Sequence, residues 1–228
     1  MPVAAGMTNG RGPPAAEPAP EFDAAFRAGF LDLLRWRRDV RRFRTDPVPA
    51  PLVAEILAAT AFAPSVGNSQ PWRFVLVETP ARRRAVLANF RRANAEALAG
   101  YRGERAQLYA GLKLSGLAEA PLVFAVFTDE ATAQGHGLGR RTMPETLRYS
   151  TVTAVHTFWL AARCHGVGVG WVSILEPEPL AAELDVPAAW AFTALLCVGW
   201  PQETHTDPEL ERAGWQPRTD AAATIVRR

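Results

Sequence analysis

The sequence predicts an α+β fold, and two observations carry that reading. Apolar residues recur at spacings of three and four in two long stretches. The first holds Phe22, Phe26, Phe30, Leu33 and Leu34; the second holds Leu147, Thr151, Val152, Val155, Phe158, Trp159 and Ala162. That is the period of an amphipathic helix, and the second stripe reads as buried. Elsewhere the apolar segments are short and dense: 121–127 is nearly continuous, as in a strand covered on both sides, and 190–200 reads as another strand. With 228 residues, 48% apolar and 21% charged, the chain can fill one sizeable core, so 21–228 is expected to be a single domain. Residues 1–20 are rich in Pro, Ala and Gly and lack the apolar run of a secretory leader, so they are expected to form a disordered tail.

Taken in order, the first helix runs into Trp36 and delivers a cationic motif to its C-terminal end: Arg37, Arg38, Asp39, Val40, Arg41, Arg42, Phe43. Prolines at 47, 49 and 51 then punctuate the chain. Leu52, Val53, Ile56, Leu57 and Thr60 give a second helix its inner face, and Pro64 stops it. Residues 63–72, Ala-Pro-Ser-Val-Gly-Asn-Ser-Gln-Pro-Trp, form a loop of small and amide residues leading into a strand at 73–77. A scaffold fixes such a loop while leaving its backbone groups free, which suits ligand contact. Pro80 opens a helix that continues through the 90s, because its missing N–H costs nothing at a first helical position. Leu108, Leu112 and Leu117 suggest a further helical face.

Periodicity disappears over 128–143, where Gly135, Gly137, Gly139, Arg140 and Arg141 point to a loop or mobile lid. The second long helix starts at Pro144 and ends where Gly166 can supply a left-handed cap. A strand at 167–173, Val-Gly-Val-Gly-Trp-Val-Ser, then carries two interior glycines. Glycine weakens a strand, so something is expected to approach the backbone closely there, and a flat ligand would do. A short helix after Glu176 and the strand at 190–200 follow. Beyond Asp207 the local feature of interest is Trp215, Gln216, Pro217, Arg218.

Composition removes several function classes. A net charge of +2 gives no reason to expect a nucleic-acid partner. No apolar run approaches the roughly 20 residues of a membrane helix, so a soluble protein without a membrane partner is expected. Cys164 and Cys197 form no paired motif, which fits a cytoplasmic protein, and both read as buried apolar fillers. With four histidines, and His156 and His165 nine positions apart, no metal site is expected. No P-loop, GxSxG or HExxH motif occurs. Guanidinium forks match phosphate oxygens, so the arginine motif reads either as a phosphate clamp or as a surface cluster. The amide loop and the glycine strand favour a large, flat, phosphorylated ligand such as FMN.

In order and spacing, the arginine motif, the 63–72 loop and the glycine strand resemble the flavin-binding motifs of the nitroreductase-like flavoproteins. More narrowly, Arg-Arg-Asp-Val-Arg at 37–41, GLGRRTMPETLRYS at 137–150 and GVGWVSIL at 168–175 resemble the 5,6-dimethylbenzimidazole synthases. The resemblance implies a nitroreductase-like α+β fold, a central, mainly antiparallel sheet flanked by helices, with FMN at a homodimer interface. It implies that reduced FMN is substrate and O2 co-substrate, the flavin being cut into 5,6-dimethylbenzimidazole, the lower ligand of cobalamin, and erythrose 4-phosphate. A separate flavin reductase is a possible partner.

By the same resemblance Asp39 and Ser173 are the catalytic residues. In ordinary nitroreductases a serine usually occupies the position of Asp39. Arg37, Arg38, Arg41 and Arg218 would hold phosphate and ribityl oxygens, and Ser65 and Asn68 would border the flavin. Gly170 and Trp171 would offer it backbone contacts, and Tyr101, Met143 and Pro144 would close a lid. Asn68 departs from the synthase pattern and matches ordinary nitroreductases. The alternatives are an NAD(P)H-dependent nitroreductase, a flavin or corrinoid reductase that recycles FMN, and a noncatalytic flavin-binding protein.

Overall fold

The computed structural model describes residues 18–228, so most of the tail expected over 1–20 lies outside the described residues. The strands β1 (Trp72–Leu76), β2 (Leu122–Asp129), β3 (Gly168–Val172) and β4 (Trp190–Gly199) form one sheet in the order β1-β2-β4-β3, each neighbouring pair antiparallel. The two central strands have both faces covered. Val123, Ala125, Phe127, Leu195 and Cys197 belong to one core, and Phe124, Val126, Leu196 and Val198 to the other. Alternate residues therefore enter opposite cores, and this is why these strands read as continuous apolar runs.

One core closes under α3 (Pro80–Ala99) and α6 (Pro177–Glu183), through Val86, Phe90 and Leu180. The other closes under α2 (Ala50–Ala58) and α5 (Thr146–Cys164), through Ile56, Val155, Phe158 and Trp159. Gly166, at φ +74°, turns the chain out of α5 into β3, as its position after the helical stripe predicts.

Several expectations are corrected. The amphipathic helix expected up to Trp36 forms as α1 (Ala24–Trp36), but this chain does not cover it: no residue of that helix is buried, and Phe22 and Phe26 stack on each other at 4.4 Å on the outside. Asp23 caps this helix by accepting from the Phe26 N–H, so helicity is secured locally while the apolar face stays open. Helix α4 (Gly103–Gly111) ends before Leu112, and Leu117 reaches the core from a turn instead. Cys197 is buried, but Cys164 is exposed at the end of α5.

The 128–143 segment begins as the end of β2 and then becomes a series of turns. Gly135, Gly137 and Gly139 have φ of +80°, +75° and +78°, a region other residues rarely enter. The turns dock on the amide loop: Gln134 Nε2 donates to the Asn68 carbonyl at 2.9 Å, and a Cβ on Gly67 would lie 3.1 Å from the Gly135 carbonyl. The segment is therefore anchored at this end. Among the described residues no helix is long and apolar enough to cross a membrane.

Candidate active site

The arginine motif is not the end of a helix left in solvent; it is a strap across the edge of the sheet. After α1 the chain extends, and the Val40 N–H donates to the Val169 carbonyl at 3.0 Å, pairing the strap parallel to β3. Fully buried Phe43 pins its far end, and the Arg44 N–H donates to the Trp200 carbonyl at 2.8 Å. A Cβ on Gly170 would stand 2.0 Å from the Val40 carbonyl oxygen, and one on Gly168 would stand 2.9 Å from a Val40 methyl. Something does approach the glycine strand closely: the protein's own Val40. Gly170 makes room for the strap.

This pairing fixes Asp39. Its Oδ1 accepts from the Trp171 backbone N–H at 2.8 Å, and its Oδ2 accepts from Arg41 Nε at 2.8 Å. Of the backbone groups of Gly170 and Trp171 expected to contact a flavin ring, the Trp171 N–H is thus bonded to Asp39. Arg41 also gives Nη1 to the Lys113 carbonyl at 2.9 Å, so two of its donors orient the interior rather than face a phosphate. Crowding by protein raises the Asp39 carboxyl above the ordinary Asp value; Arg41 and the Trp171 N–H oppose that rise, and Glu209 adds to it. The side chain is still 29% exposed, so a ligand can reach it. Ser173 lies exposed, one residue beyond β3.

Arg37 lies with its guanidinium 4.8 Å from the centre of the Trp159 ring. Arg38 caps the end of α1, donating Nε to the Arg35 carbonyl and Nη2 to the Leu34 carbonyl, each at 2.9 Å. Burial chiefly lowers the pKa of both. Arg218, 180 positions or so away in sequence, lowers both further, and Arg37 lowers Arg38. The three guanidiniums are thus close enough to repel one another. The space enclosed between the strap and residues 203–212 is only about 30 Å³, room for water and not for a phosphate group; Arg38, Arg41 and Arg42 line it, and Arg37 and Arg218 do not.

Ser65 and Asn68 stand together in the amide loop. Ser65 Oγ accepts from the Gln70 N–H at 3.2 Å, and Asn68, at φ +54°, accepts from Gln70 Nε2 at 3.0 Å. The three lid residues are not brought together. Pro144 lines an open cleft with Arg140, Arg141 and Arg148, and Met143 is exposed beside it in sequence. Tyr101 stacks on Tyr109 at 4.9 Å and meets Trp215 edge-on at 5.5 Å. Sequence reasoning missed Glu209, at the start of α7 (Glu209–Arg212), whose Oε1 accepts from Arg42 Nη1 at 2.8 Å. A four-residue helix leaves no periodic signal that could have flagged it.

A four-stranded antiparallel sheet between helical layers, with an arginine strap on one edge strand, defines the class. Residues 34–200 match the Nitroreductase family, and the chain belongs to it. Among curated relatives, it is similar to the 5,6-dimethylbenzimidazole synthase of Rhodospirillum rubrum, 61% identical over 199 residues, covering 87% of this chain and 94% of the relative. It is also similar to the protein of the same name from Rhodobacter capsulatus, 50% identical over 195 residues, covering 86% and 94%. Among solved structures, it shares its fold with an iodotyrosine deiodinase bound to FMN and 3-iodo-L-tyrosine, at a TM-score of 0.68 and 24% identity, covering 86% of this chain and 97% of that one.

Proposed function

We propose that the protein is a 5,6-dimethylbenzimidazole synthase, which fragments reduced FMN with O2 to 5,6-dimethylbenzimidazole and erythrose 4-phosphate. The observation that carries the reading is Asp39: a carboxylate with a raised pKa, held from two sides, open to a ligand and next to an arginine cluster. A carboxylate beside a phosphorylated ligand repels it, so its presence there argues for work on protons. The high identity to the named relatives supports the same reading.

The residues fit FMN. Arg37, Arg38 and Arg218 would hold the phosphate, relieving their mutual repulsion, while Arg41 orients Asp39. Reduced FMN, when bound, supplies electrons to O2 and the ring carbons of the product. Asp39 moves a proton at the ribityl chain, and Ser173 hydrogen-bonds near the ring. Ser65 and Asn68 border the flavin, and Met143, Pro144 and Tyr101 exclude water from it. We assign 21–228 to one domain and infer a cytoplasmic homodimer, because the open apolar residues of α1 and Tyr149 and Val152 on α5 need a cover. A separate flavin reductase would supply the reduced flavin.

The test is the fate of the flavin in air. A measured amount of reduced FMN is mixed with the protein, and oxidised flavin is read from its visible absorbance. A synthase leaves a permanent shortfall. An NAD(P)H-dependent nitroreductase, or a flavin or corrinoid reductase, would return all of it, and full recovery would overturn the reading.

A further inference from the structure

Arg41 on the strap faces two carboxylates, of which the proposed reaction uses one. Arg41 lies between them: its Nε is 2.8 Å from Asp39 Oδ2 and 4.0 Å from Glu209 Oε2. Glu209 is only 17% exposed and pairs through its other oxygen with Arg42 Nη1 at 2.8 Å; that guanidinium also meets Glu203 Oε1 at 3.1 Å. Arg41 itself is 12% exposed, and its Nη1 is spent on the Lys113 carbonyl. A short helix from the far end of the chain thus places a negative charge behind the arginine that orients Asp39. Carboxylates on both sides keep a mostly buried guanidinium from being drawn wholly onto one of them.

We propose that Glu209 is a positioning residue, which holds Arg41 and Arg42 in place from behind and thereby sets the orientation and charge balance of Asp39. This rests on the role proposed above for Asp39. Glu203, His205, Asp207 and Arg212 also line the narrow space that Asp39 shares with Glu209. Arg37 favours its ionised form from the strap, the Trp171 N–H does so from β3, and Cys197 on β4 is neutral, its thiol pushed up to about 12 by burial. Of these acidic groups, Glu209 is the one that raises the Asp39 carboxyl. Its charge raises the Asp39 carboxyl, so removing the charge lowers it.

The experiment uses Glu209→Gln, which keeps size and hydrogen bonding, and Glu209→Asp, which keeps charge. The first readout needs no turnover: the Asp39 carboxyl carbon is titrated by ¹³C NMR in the protein without flavin. Glu209→Gln is expected to titrate at lower pH than the unmodified protein, and Glu209→Asp close to it. The second readout is product formation against pH. Glu209→Gln is expected to bind FMN within about 3-fold of the original while its rate falls about 10-fold and its acid limb moves to lower pH; Glu209→Asp restores the limb. An unmoved Asp39 titration in Glu209→Gln overturns the proposal. So does equal loss of FMN binding in both variants, which marks a merely structural role. If the unmodified protein makes no dimethylbenzimidazole, the functional reading fails, yet the NMR titration still decides the placement of Glu209.

Discussion

Asp39 concentrates the chemistry in one side chain, and its surroundings give it testable properties. Asp39→Asn preserves shape and the contact with the Trp171 N–H while removing the charge. It is expected to bind FMN within about 3-fold of the unmodified protein and to lose product formation by at least about 100-fold, the scale of a lost general acid or base. Fluorescence titration and a product assay check the two halves. The pH dependence has a definite sign. Burial holds the Asp39 carboxyl above the usual Asp value, so its working ionised form is lost as pH falls through a value higher than an ordinary aspartate's. The acid limb of the rate profile is therefore expected above the range of an ordinary aspartate and should vanish in the Asn variant's residual activity. At this scale the sequence was partly legible. A carboxylate among arginines announces itself, whereas Glu209 matters only because folding brings α7 against the strap.

The strap and β3 form one unit at the scale of elements. Two glycines in a strand correctly signalled a close approach, but the approaching group is Val40, some 130 positions earlier, and no local pattern names such a partner. Gly170→Ala would force a methyl group to within 2.0 Å of a backbone oxygen, which can yield only if the strap shifts. The cost is expected near the upper end of overpacking, about 3 kcal/mol, lowering Tm by roughly 6–12 °C. Calorimetry checks this, and an unchanged Tm would mean that the strap does not lie where it is described. Central strands and long helices were readable because each has its own period. Helix α1 was readable as a helix but not in its setting: the stripe predicts an apolar face, and only packing tells whether the same chain covers it.

At the scale of the molecule, no residue of α1 is buried by this chain, and the proposed homodimer would cover its apolar face. The protein is expected to run at twice its 24.8 kDa chain mass by light scattering, and Phe26→Asp with Phe30→Asp to weaken that dimer by at least about 10-fold. The lid residues tell the same story. Tyr101 is clamped with Tyr109 and Trp215, apart from the cleft that Pro144 lines, so a complete cover over the flavin is not built from those three in a single chain. The family fold, the strap and the carboxylate then converge on one central claim, that this nitroreductase-family protein consumes its flavin. The most direct test mixes purified protein with reduced FMN in air and analyses the products by mass spectrometry. The expected result is 5,6-dimethylbenzimidazole and erythrose 4-phosphate in equal amounts from the unmodified protein and neither from Asp39→Asn. Intact FMN with no dimethylbenzimidazole, while added NADH is oxidised turnover after turnover, would contradict it.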